Sequence, residues 1–406
     1  MYLKNDAADF LPAAEPSRQG VASRLIRRVL RHLDAGRITV VLPSGERIDH
    51  VGSAPGQDAT MVLHNARGLR RLATSGDVGF AEGYIAGDWS SPDLVALIAL
   101  AAENVTRLQR TMDGLWLFRA MNRMRHVLRS NSRTGSRRNI AFHYDLGNDF
   151  YRLWLDRSMT YSSAITVGRD QTLEQAQQAK LDRIADLLEL RGDERVLEIG
   201  CGWGALAAHL ARRCASVTGI TLSTEQLAAA RARCADPGLG GRVELRLQDY
   251  RDVPEHYDRI VSIEMLEAVG EAYWPAYFEK LRACLAPGGT AVLQVITIRD
   301  DRFETYRSGS DFIQRYIFPG GMLPTPGIIA DQATRAGLAL VAVETFRHGY
   351  ADTLAEWRRR FEAAWPRIAA IGFDATFRRI WTYYLSYCEA GFRTGTIDVG
   401  LYVLRG

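Results

Sequence analysis

Apolar positions in the second half of the chain fall in short, β-branched runs separated by segments with helical spacing. Seven such runs are predicted strands: 195–200, 216–221, 243–249, 258–265, 290–298, 338–346 and 397–405. The intervals between the first four hold helix-like segments such as TEQLAAARARCA. Because alternating strands and helices are typical of a parallel sheet covered on both faces, we predict an α/β fold with a mostly parallel, seven-stranded sheet.

A helical stretch at 352–393 is rich in aromatic residues. It contains Trp357, Phe361, Trp365, Phe373, Phe377, Trp381, Tyr383, Tyr384, Tyr387 and Phe392. Two interpretations are compatible with each other: the rings fill a core, or they form the wall of an apolar pocket.

The first part of the chain gives mixed signals. Residues 1–20 lack periodicity and are predicted to form a loose arm, and 21–105 a small α+β domain that opens with a basic helix. Strands are predicted at 36–42 and 59–64, and a further helix begins at SSPDL, where Ser-Ser-Pro-Asp fits an N-cap with proline in the first turn. No catalytic motif occurs in this domain, so we predict a lipid-related or interaction role for it.

Positive charge is concentrated in residues 107–138, where nine arginines stand against a single acidic residue, Asp113. Apolar residues recur there at helical spacing: Leu117, Met121, Met124 and Leu128. The segment 106–139 is therefore predicted as a basic amphipathic helix and linker. It could pack on its own domain, lie on anionic lipid headgroups or bind nucleic acid, and its Trp116 and Phe118 favour lipid.

Composition narrows the class of protein. The chain has 406 residues, of which 47% are hydrophobic and 24% charged, as in ordinary globular proteins. It has neither a run of about 18 apolar residues nor a signal sequence, so we expect a cytoplasmic protein. Its five cysteines are scattered and odd in number, which argues against disulfides, structural zinc and any other metal site.

The sequence LEIGCGWG at 197–204 follows the first predicted strand of the sheet with three glycines. Ligands of open α/β sheets bind at the carboxyl ends of strands, where glycines let the backbone approach closely. Gly200, Gly202 and Ala205 also fit a relaxed G-x-G-x-x-A motif. A nicotinamide or flavin cofactor is therefore an alternative on this motif alone. Three features together resemble class I methyltransferases that bind S-adenosylmethionine. Glu198 precedes the glycines, the next strand ends in GITLS without an acidic residue for a dinucleotide ribose, and LAPGGTAVL occurs at 285–293.

A more specific resemblance covers residues 140–406. It is carried by FHYDLGNDFYRLWLDRSMTYSSA, QAQQAKLDRI, LEIGCGWGALAAHLA, TLSTEQ, LQDYRDV, YDRIVSIEMLEAVGEAYWPAYF, YIFPGGMLP and HGYADTLAEWRRRF, in this order. The set resembles the cyclopropane-fatty-acyl-phospholipid synthase family, which includes the mycolic acid cyclopropane synthases. The N-terminal domain is similar to the extra domain of bacterial phospholipid-acting members. The resemblance implies a Rossmann-like methyltransferase domain with an acyl-chain cap at 352–393.

The resemblance also implies a set of cofactor contacts: Tyr144, Tyr161, Ser162, Gly200, Gly202, Thr221, Leu222, Gln226, Gln248, Asp249 and Tyr250. Their chemistry suits S-adenosylmethionine, because Thr221 and Gln226 can hydrogen-bond sugar hydroxyls and Asp249 can accept from the adenine amine. Glu198 either pairs with the ammonium of the ligand or caps the loop.

In this family the double bond of an acyl chain attacks the sulfonium methyl group, and aromatic faces tolerate the resulting carbocation. A bicarbonate ion held by cysteine, glutamate, histidine, isoleucine and tyrosine is the base. Glu267, Ile296 and Tyr350 match that pattern, whereas Ser163 replaces the cysteine and Gln294 the histidine. These replacements put bicarbonate and ring closure in doubt, and Glu267 could itself be the base or merely cap a helix.

We therefore expect a C-methyltransferase that acts on unsaturated acyl chains of membrane phospholipids, giving a cyclopropane or a methyl-branched, double-bond-shifted olefin. The basic helix at 107–138 would bind the enzyme to the inner face of the membrane. The sequence does not decide whether the protein is a homodimer. One alternative is a membrane-binding protein with a vestigial cofactor site. The other is a nucleic-acid methyltransferase, which would need a basic catalytic domain, whereas 151–406 carries 31 basic against 32 acidic residues; we expect no nucleic-acid partner.

Overall fold

The computed structural model describes residues 20–105, 146–165, 171–309 and 311–406. The chain divides into two compact units, Met1–Ala120 and Met121–Gly406. The predicted basic helix at 107–138, Tyr144 and all but the last residue of the predicted arm lie outside the described residues.

The first unit is the expected small α+β assembly. Its elements are α1 (Val21–Leu30), β1 (Ala35–Val41), β2 (Arg47–Val51), β3 (Ala54–Leu63), α2 (Ala66–Ile85), β4 (Trp89–Ser90) and α3 (Leu94–Glu103). The four strands lie in the order β2-β1-β3-β4, with β1 and β3 parallel and the other pairs antiparallel. Strand β2 was not predicted, because its RIDHV pattern buries only Ile48 completely.

The start of α3 corrects one prediction. The N-cap is Asp93, whose carboxylate accepts a 2.9 Å hydrogen bond from the backbone N–H of Ala96. Pro92 therefore precedes the cap instead of lying in the first turn. A carboxylate at this position satisfies one of the free N–H groups at the helix start and favours the helix dipole.

The second unit is the predicted α/β fold. Its strands are β5 (Arg195–Ile199), β6 (Ser216–Thr221), β7 (Val243–Leu247), β8 (Tyr257–Ile263), β9 (Leu285–Ile298), β10 (Ala339–Thr345) and β11 (Ile397–Arg405). They form one sheet in the order β10-β11-β9-β8-β5-β6-β7. Only β11 runs antiparallel to its neighbours, so the sheet is mostly parallel as expected.

Helices cover both faces of this sheet. They are α4 (Asn148–Arg152), α5 (Leu173–Leu187), α6 (Ala205–Leu210), α7 (Thr224–Cys234), α8 (Leu266–Val269), α9 (Trp274–Cys284), α10 (Asp300–Ser308), α11 (Phe312–Tyr316), α12 (Pro326–Arg335), α13 (Arg347–Ala370) and α14 (Ala375–Arg393). Successive residues of a strand enter opposite cores: Ile260 packs with the α9 side, and Val261 with the α5 side. Burial of both faces explains the continuous apolar runs of the parallel strands.

The aromatic stretch at 352–393 is two helices, not one. Helix α13 ends at Ala370, and α14 begins after Asp374, whose carboxylate accepts a hydrogen bond from the Phe377 N–H at 2.7 Å. Gly372 lies between them with φ 104°, a conformation that side chains disfavour. No helix within the described ranges is long and apolar enough to cross a membrane.

Candidate cofactor and catalytic site

The glycine loop lies at the carboxyl end of β5, where the sequence predicted it. Gly200, Gly202 and Gly204 all have positive φ values, of 85°, 50° and 79°. The N–H groups of Gly200 and Cys201 both donate to the Ile220 carbonyl oxygen, at 3.0 and 2.9 Å, which ties the loop to β6. A Cβ atom on Gly200 would lie 2.5 Å from Cγ of Met265, so a side chain cannot be accommodated there without a shift.

Glu198 is buried beneath this loop, with 3% of its surface exposed. Its carboxylate accepts a hydrogen bond from the Ala207 N–H in α6, while its Oε2 has no hydrogen-bond partner among the described residues. Burial raises the pKa of Glu198 to about 8, against the opposing effect of the Lys180 ammonium. One oxygen thus accepts from the start of α6, and pairing of the other oxygen with a ligand ammonium stays a prediction.

Residues expected to bind the sugar and base follow β6 and β7, the neighbouring strands. Thr221 Oγ1 donates to Gln226 Oε1 at 3.1 Å, and both side chains are buried. Asp249 forms a two-oxygen ion pair with Arg251, at 2.8 and 2.6 Å, so the carboxylate expected to accept from adenine is held by that guanidinium. Three further expected contacts adjoin them: Leu222, Gln248 and Tyr250.

Tyr161 and Ser162, two further expected cofactor contacts, interact with helices α5, α13 and α14. The Tyr161 hydroxyl lies 2.8 Å from that of Tyr384, and its ring centroid 5.2 Å from that of Trp357. Ser162 is buried, and its hydroxyl accepts a 2.6 Å hydrogen bond from Lys180 Nζ. Tyr144, expected to complete this group, lies outside the described residues.

Lys180 was not predicted as a site residue. It is 1% exposed, and burial lowers its pKa to about 8, while Glu264, Asp156 and Glu198 act in the opposite direction. The signal was present in the sequence, because Lys180 lies seven residues after Leu173 on the apolar stripe of α5. A charged residue in such a stripe needs a partner, which here is the Ser162 hydroxyl, and the charges of the three carboxylates also favour the ammonium.

Glu264 was also missed, although it lies at the centre of the predicted catalytic set. Its Oε1 accepts hydrogen bonds from the Ser163 N–H at 3.0 Å and from Gln294 Nε2 at 2.7 Å. Its Oε2 accepts from the Tyr350 hydroxyl at 2.8 Å. The residue directly follows β8 and has a left-handed φ of 52°, which costs a non-glycine residue free energy.

Ser163 contributes differently from what the sequence suggested. Its hydroxyl, expected to offer a hydrogen bond to an anion, donates to the Ala164 carbonyl oxygen at 2.7 Å. Only its backbone N–H reaches Glu264. The side chain of Ser163 therefore donates no hydrogen bond to Glu264.

Glu267 and Ile296 form a separate pair beside Glu264. The Ile296 N–H donates to Glu267 Oε1, and Glu267 Oε2 has no partner within the part of the chain that the structure describes. Burial first, and the charge of Glu264 second, raise the pKa of Glu267 to about 8. The Glu267 carbonyl oxygen accepts from the Met322 N–H at 2.9 Å, which anchors the YIFPGGMLP segment to the site.

The aromatic residues of α13 and α14 pack as a core next to these groups. Trp357 and Trp381 are at most 2% exposed and contact Trp154, with ring centroids at 5.8 and 5.9 Å. Phe150 contacts Trp381 at 5.1 Å. This confirms the core-packing interpretation, and the pocket-wall interpretation stays a prediction.

Comparison with known proteins places this geometry in context. The sequence profile of the family described as mycolic acid cyclopropane synthetase matches residues 131–401. The tuberculostearic acid methyltransferase UfaA1 of Mycobacterium tuberculosis is 41% identical over 389 residues, covering 93% of this chain and 89% of that protein. The cyclopropane-fatty-acyl-phospholipid synthase of Escherichia coli K12 is 36% identical over 357 residues, covering 86% and 87%.

A solved structure shares the architecture of the second unit. The mycolic acid cyclopropane synthase CmaA1 in complex with SAH and CTAB is 30% identical, with a TM-score of 0.62, and the match covers 66% of this chain and 98% of that one. SAH is the product that S-adenosylmethionine leaves after methyl transfer. The glycine loop, the unpartnered oxygen of Glu198 and the buried Gln226 are the features of this chain that fit such a ligand.

Proposed function

Since the chain belongs to the mycolic acid cyclopropane synthetase family of S-adenosylmethionine-dependent methyltransferases, we propose that it methylates the double bonds of unsaturated acyl chains in membrane phospholipids. The product is a methyl-branched olefin with a shifted double bond. A cyclopropane is the second candidate, favoured by the similarity to the synthase of Escherichia coli.

The observation that carries this proposal is the contact between the cofactor loop and the segment that bears Glu264. The Met265 side chain occupies the space beside Gly200, and its neighbour Glu264 bonds to Tyr350 and to the backbone next to Ser162. A carboxylate and aromatic side chains thus lie beside the predicted position of the methyl donor. Methylation of an alkene requires both, because a cation forms and a proton must leave.

S-adenosylmethionine supplies an electrophilic methyl group when bound. The π electrons of the acyl double bond form the new C–C bond, while the C–S bond breaks and its electrons remain on sulfur. The rings of Tyr161 and Tyr350 are suited to stabilise the carbocation left on the chain. Loss of a proton from a neighbouring chain carbon gives the olefin, and loss from the new methyl group closes a cyclopropane.

The alignment of the two relatives supports a phospholipid substrate. The matches extend over 93% and 86% of this chain, more than the second unit alone supplies, so the N-terminal unit belongs to the shared part. One of the two relatives is a fatty-acyl-phospholipid synthase by name. The nine arginines in 107–138 suit anionic headgroups, so we place the reaction at the inner face of the membrane.

Expression in a bacterium that lacks methylated acyl chains tests this function. Mass spectrometry of fatty acid methyl esters from these cells is expected to show monounsaturated chains that have gained one methylene unit. Cells with an empty vector, or with the Gly200→Ala variant, are the controls. Unchanged monounsaturated chains in cells that contain folded protein would refute the proposal.

A further inference from the structure

Two carboxylates of the chain itself occupy the donors that the family resemblance assigns to an anion. The Ser163 N–H, the Gln294 amide and the Tyr350 hydroxyl all donate to Glu264. The Ile296 N–H donates to Glu267. A bicarbonate ion on the same donors would have to displace Glu264 and remain within hydrogen-bonding distance of its negative charge. The residues present therefore do not fit bicarbonate.

We propose that Glu264 is the proton acceptor of this enzyme and that no bicarbonate ion takes part. The inference rests on the proposed methylation of acyl double bonds. It assigns the deprotonation step to a carboxylate of the chain itself instead of to an ion bound from solution.

The hydrogen bonds around Glu264 suit an ionised base. Three donors converge on its two oxygens, and hydrogen bonds to a carboxylate favour the charged form. The Lys180 ammonium adds a favourable charge, so it opposes the rise in the pKa of Glu264 that burial causes. Glu267 accepts from the Ile296 N–H at one oxygen, its other oxygen has no partner among the described residues, and burial raises its pKa to about 8. The three donors and the Lys180 charge therefore favour the ionised form of Glu264 more than the surroundings of Glu267 favour that of Glu267.

The position of Glu264 also suits contact with a substrate. Its side chain is half-buried, whereas Ser163 and Gln294, which hold it, have no exposed surface. Its left-handed backbone is fixed by the hydrogen bond from its N–H to the Gln294 carbonyl oxygen at 2.8 Å. A strained conformation that neighbouring contacts enforce is common where a side chain must point at a reacting group.

The proposed step balances without a further reactant. A C–H bond on the carbon next to the cationic carbon breaks, its electrons form the π bond of the new double bond, and the proton binds a Glu264 oxygen. Glu264 then releases this proton to water, which restores the carboxylate for the next turnover.

Purified protein, vesicles of monounsaturated phospholipid and S-adenosylmethionine with a labelled methyl group provide the test. Turnover of the wild-type protein is expected to be the same in bicarbonate-depleted buffer and with added bicarbonate. The Glu264→Gln variant is expected to lose about 100-fold or more in turnover, as removal of a general base does. Glu279→Gln, the same change on the exposed side of α9, is expected to retain wild-type turnover.

Two additional measurements separate loss of the base from loss of structure. Unfolding temperature and S-adenosylmethionine affinity of Glu264→Gln are compared with those of the wild-type protein. If Glu264→Gln fails to fold, Glu264→Gly with added formate replaces it, and formate is expected to restore turnover by filling the vacated position.

The outcomes are decisive in each direction. Dependence of the wild-type protein on bicarbonate overturns the inference, and so does near-wild-type turnover of Glu264→Gln, or a folded Glu264→Gly that formate does not rescue. If the wild-type protein labels no acyl chain under any condition, it is the proposed function that fails.

Discussion

The Tyr350 hydroxyl donates a 2.8 Å hydrogen bond to Glu264, joining helix α13 to the residue that follows strand β8. The Tyr350 ring packs against Phe392 of α14, with centroids 4.4 Å apart. Helices α13 and α14 therefore hold the ring of Tyr350, while its hydroxyl donates to the Glu264 carboxylate. This arrangement links the packing of the aromatic helices to the charge of the base.

Tyr350→Phe is expected to keep the ring contact and to remove one donor from Glu264. Because that donor favours the ionised carboxylate, its loss raises the pKa of Glu264, and activity on the acid side shifts to higher pH. We expect turnover near neutral pH to fall about 10-fold, as loss of one hydrogen bond to a charged group does. The pH dependence of turnover measures this, and an unshifted acid limb would contradict the role assigned to the hydroxyl.

Lys180→Met is expected to destabilise the fold by about 3 kcal/mol, because it removes the donor to the buried Ser162 hydroxyl together with a cation that compensates nearby carboxylates. The ammonium of Lys180 acts on Glu264, Asp156 and Glu198. Lys280→Met is the control, since Lys280 is half-buried and donates to the Val253 carbonyl oxygen, and a loss of about 1 kcal/mol is expected. Urea unfolding at pH 7 provides both values, and equal losses would mean that the cluster needs no cation.

Gly200→Ala is expected to weaken S-adenosylmethionine binding by at least about 10-fold, or about 1.4 kcal/mol. The new Cβ would meet Met265 Cγ at 2.5 Å and would also require a left-handed alanine. Gly202→Ala has the same conformational cost, but no protein atom lies within 4 Å of its Cβ, so we expect it to reduce folding stability less than Gly200→Ala does. Isothermal titration calorimetry measures the loss of affinity in Gly200→Ala, and urea unfolding ranks the stability of the two variants. A less stable Gly202→Ala would refute the close packing inferred at Gly200.

Stability is expected to depend on pH through Glu267. Its pKa is raised from 4.5 to about 8, chiefly by burial, so between these values the folded carboxyl holds a proton that the unfolded one has lost. This contribution is complete below pH 4.5 and disappears as the pH rises through 8. Glu267→Gln should therefore reduce the decline in unfolding free energy between pH 5 and pH 8. An unaltered decline in urea titrations at the two pH values would show that Glu267 does not titrate as inferred.

Local sequence patterns were enough to predict most strands of the sheet. Strands β6 and β11 match their predicted ranges residue by residue, because clear turn signals flank β-branched runs. Strand β9 begins five residues earlier than expected, at Leu285, because it includes the proline and two glycines of LAPGG, residue types that are rare in strands. The glycine loop was predictable for the same local reason, as its spacing lies within eight residues.

The centre of the site could not be found in this way. Glu264 acquires its role from residues 101, 30 and 86 positions away in the chain, namely Ser163, Gln294 and Tyr350. No periodicity or spacing encodes such a meeting, which the order of the strands and the packing of α13 create. Lys180 is different, because its position on an apolar stripe was visible in the sequence.

The transfer of a methyl group to an alkene carbon is tested most directly with purified protein, vesicles of a monounsaturated phospholipid and S-adenosylmethionine carrying ¹³C in its methyl group. Carbon NMR of the extracted lipid is predicted to show the label as a methyl branch on the acyl chain, next to a new double bond. Label confined to unreacted S-adenosylmethionine, or found on the headgroup, would contradict the account.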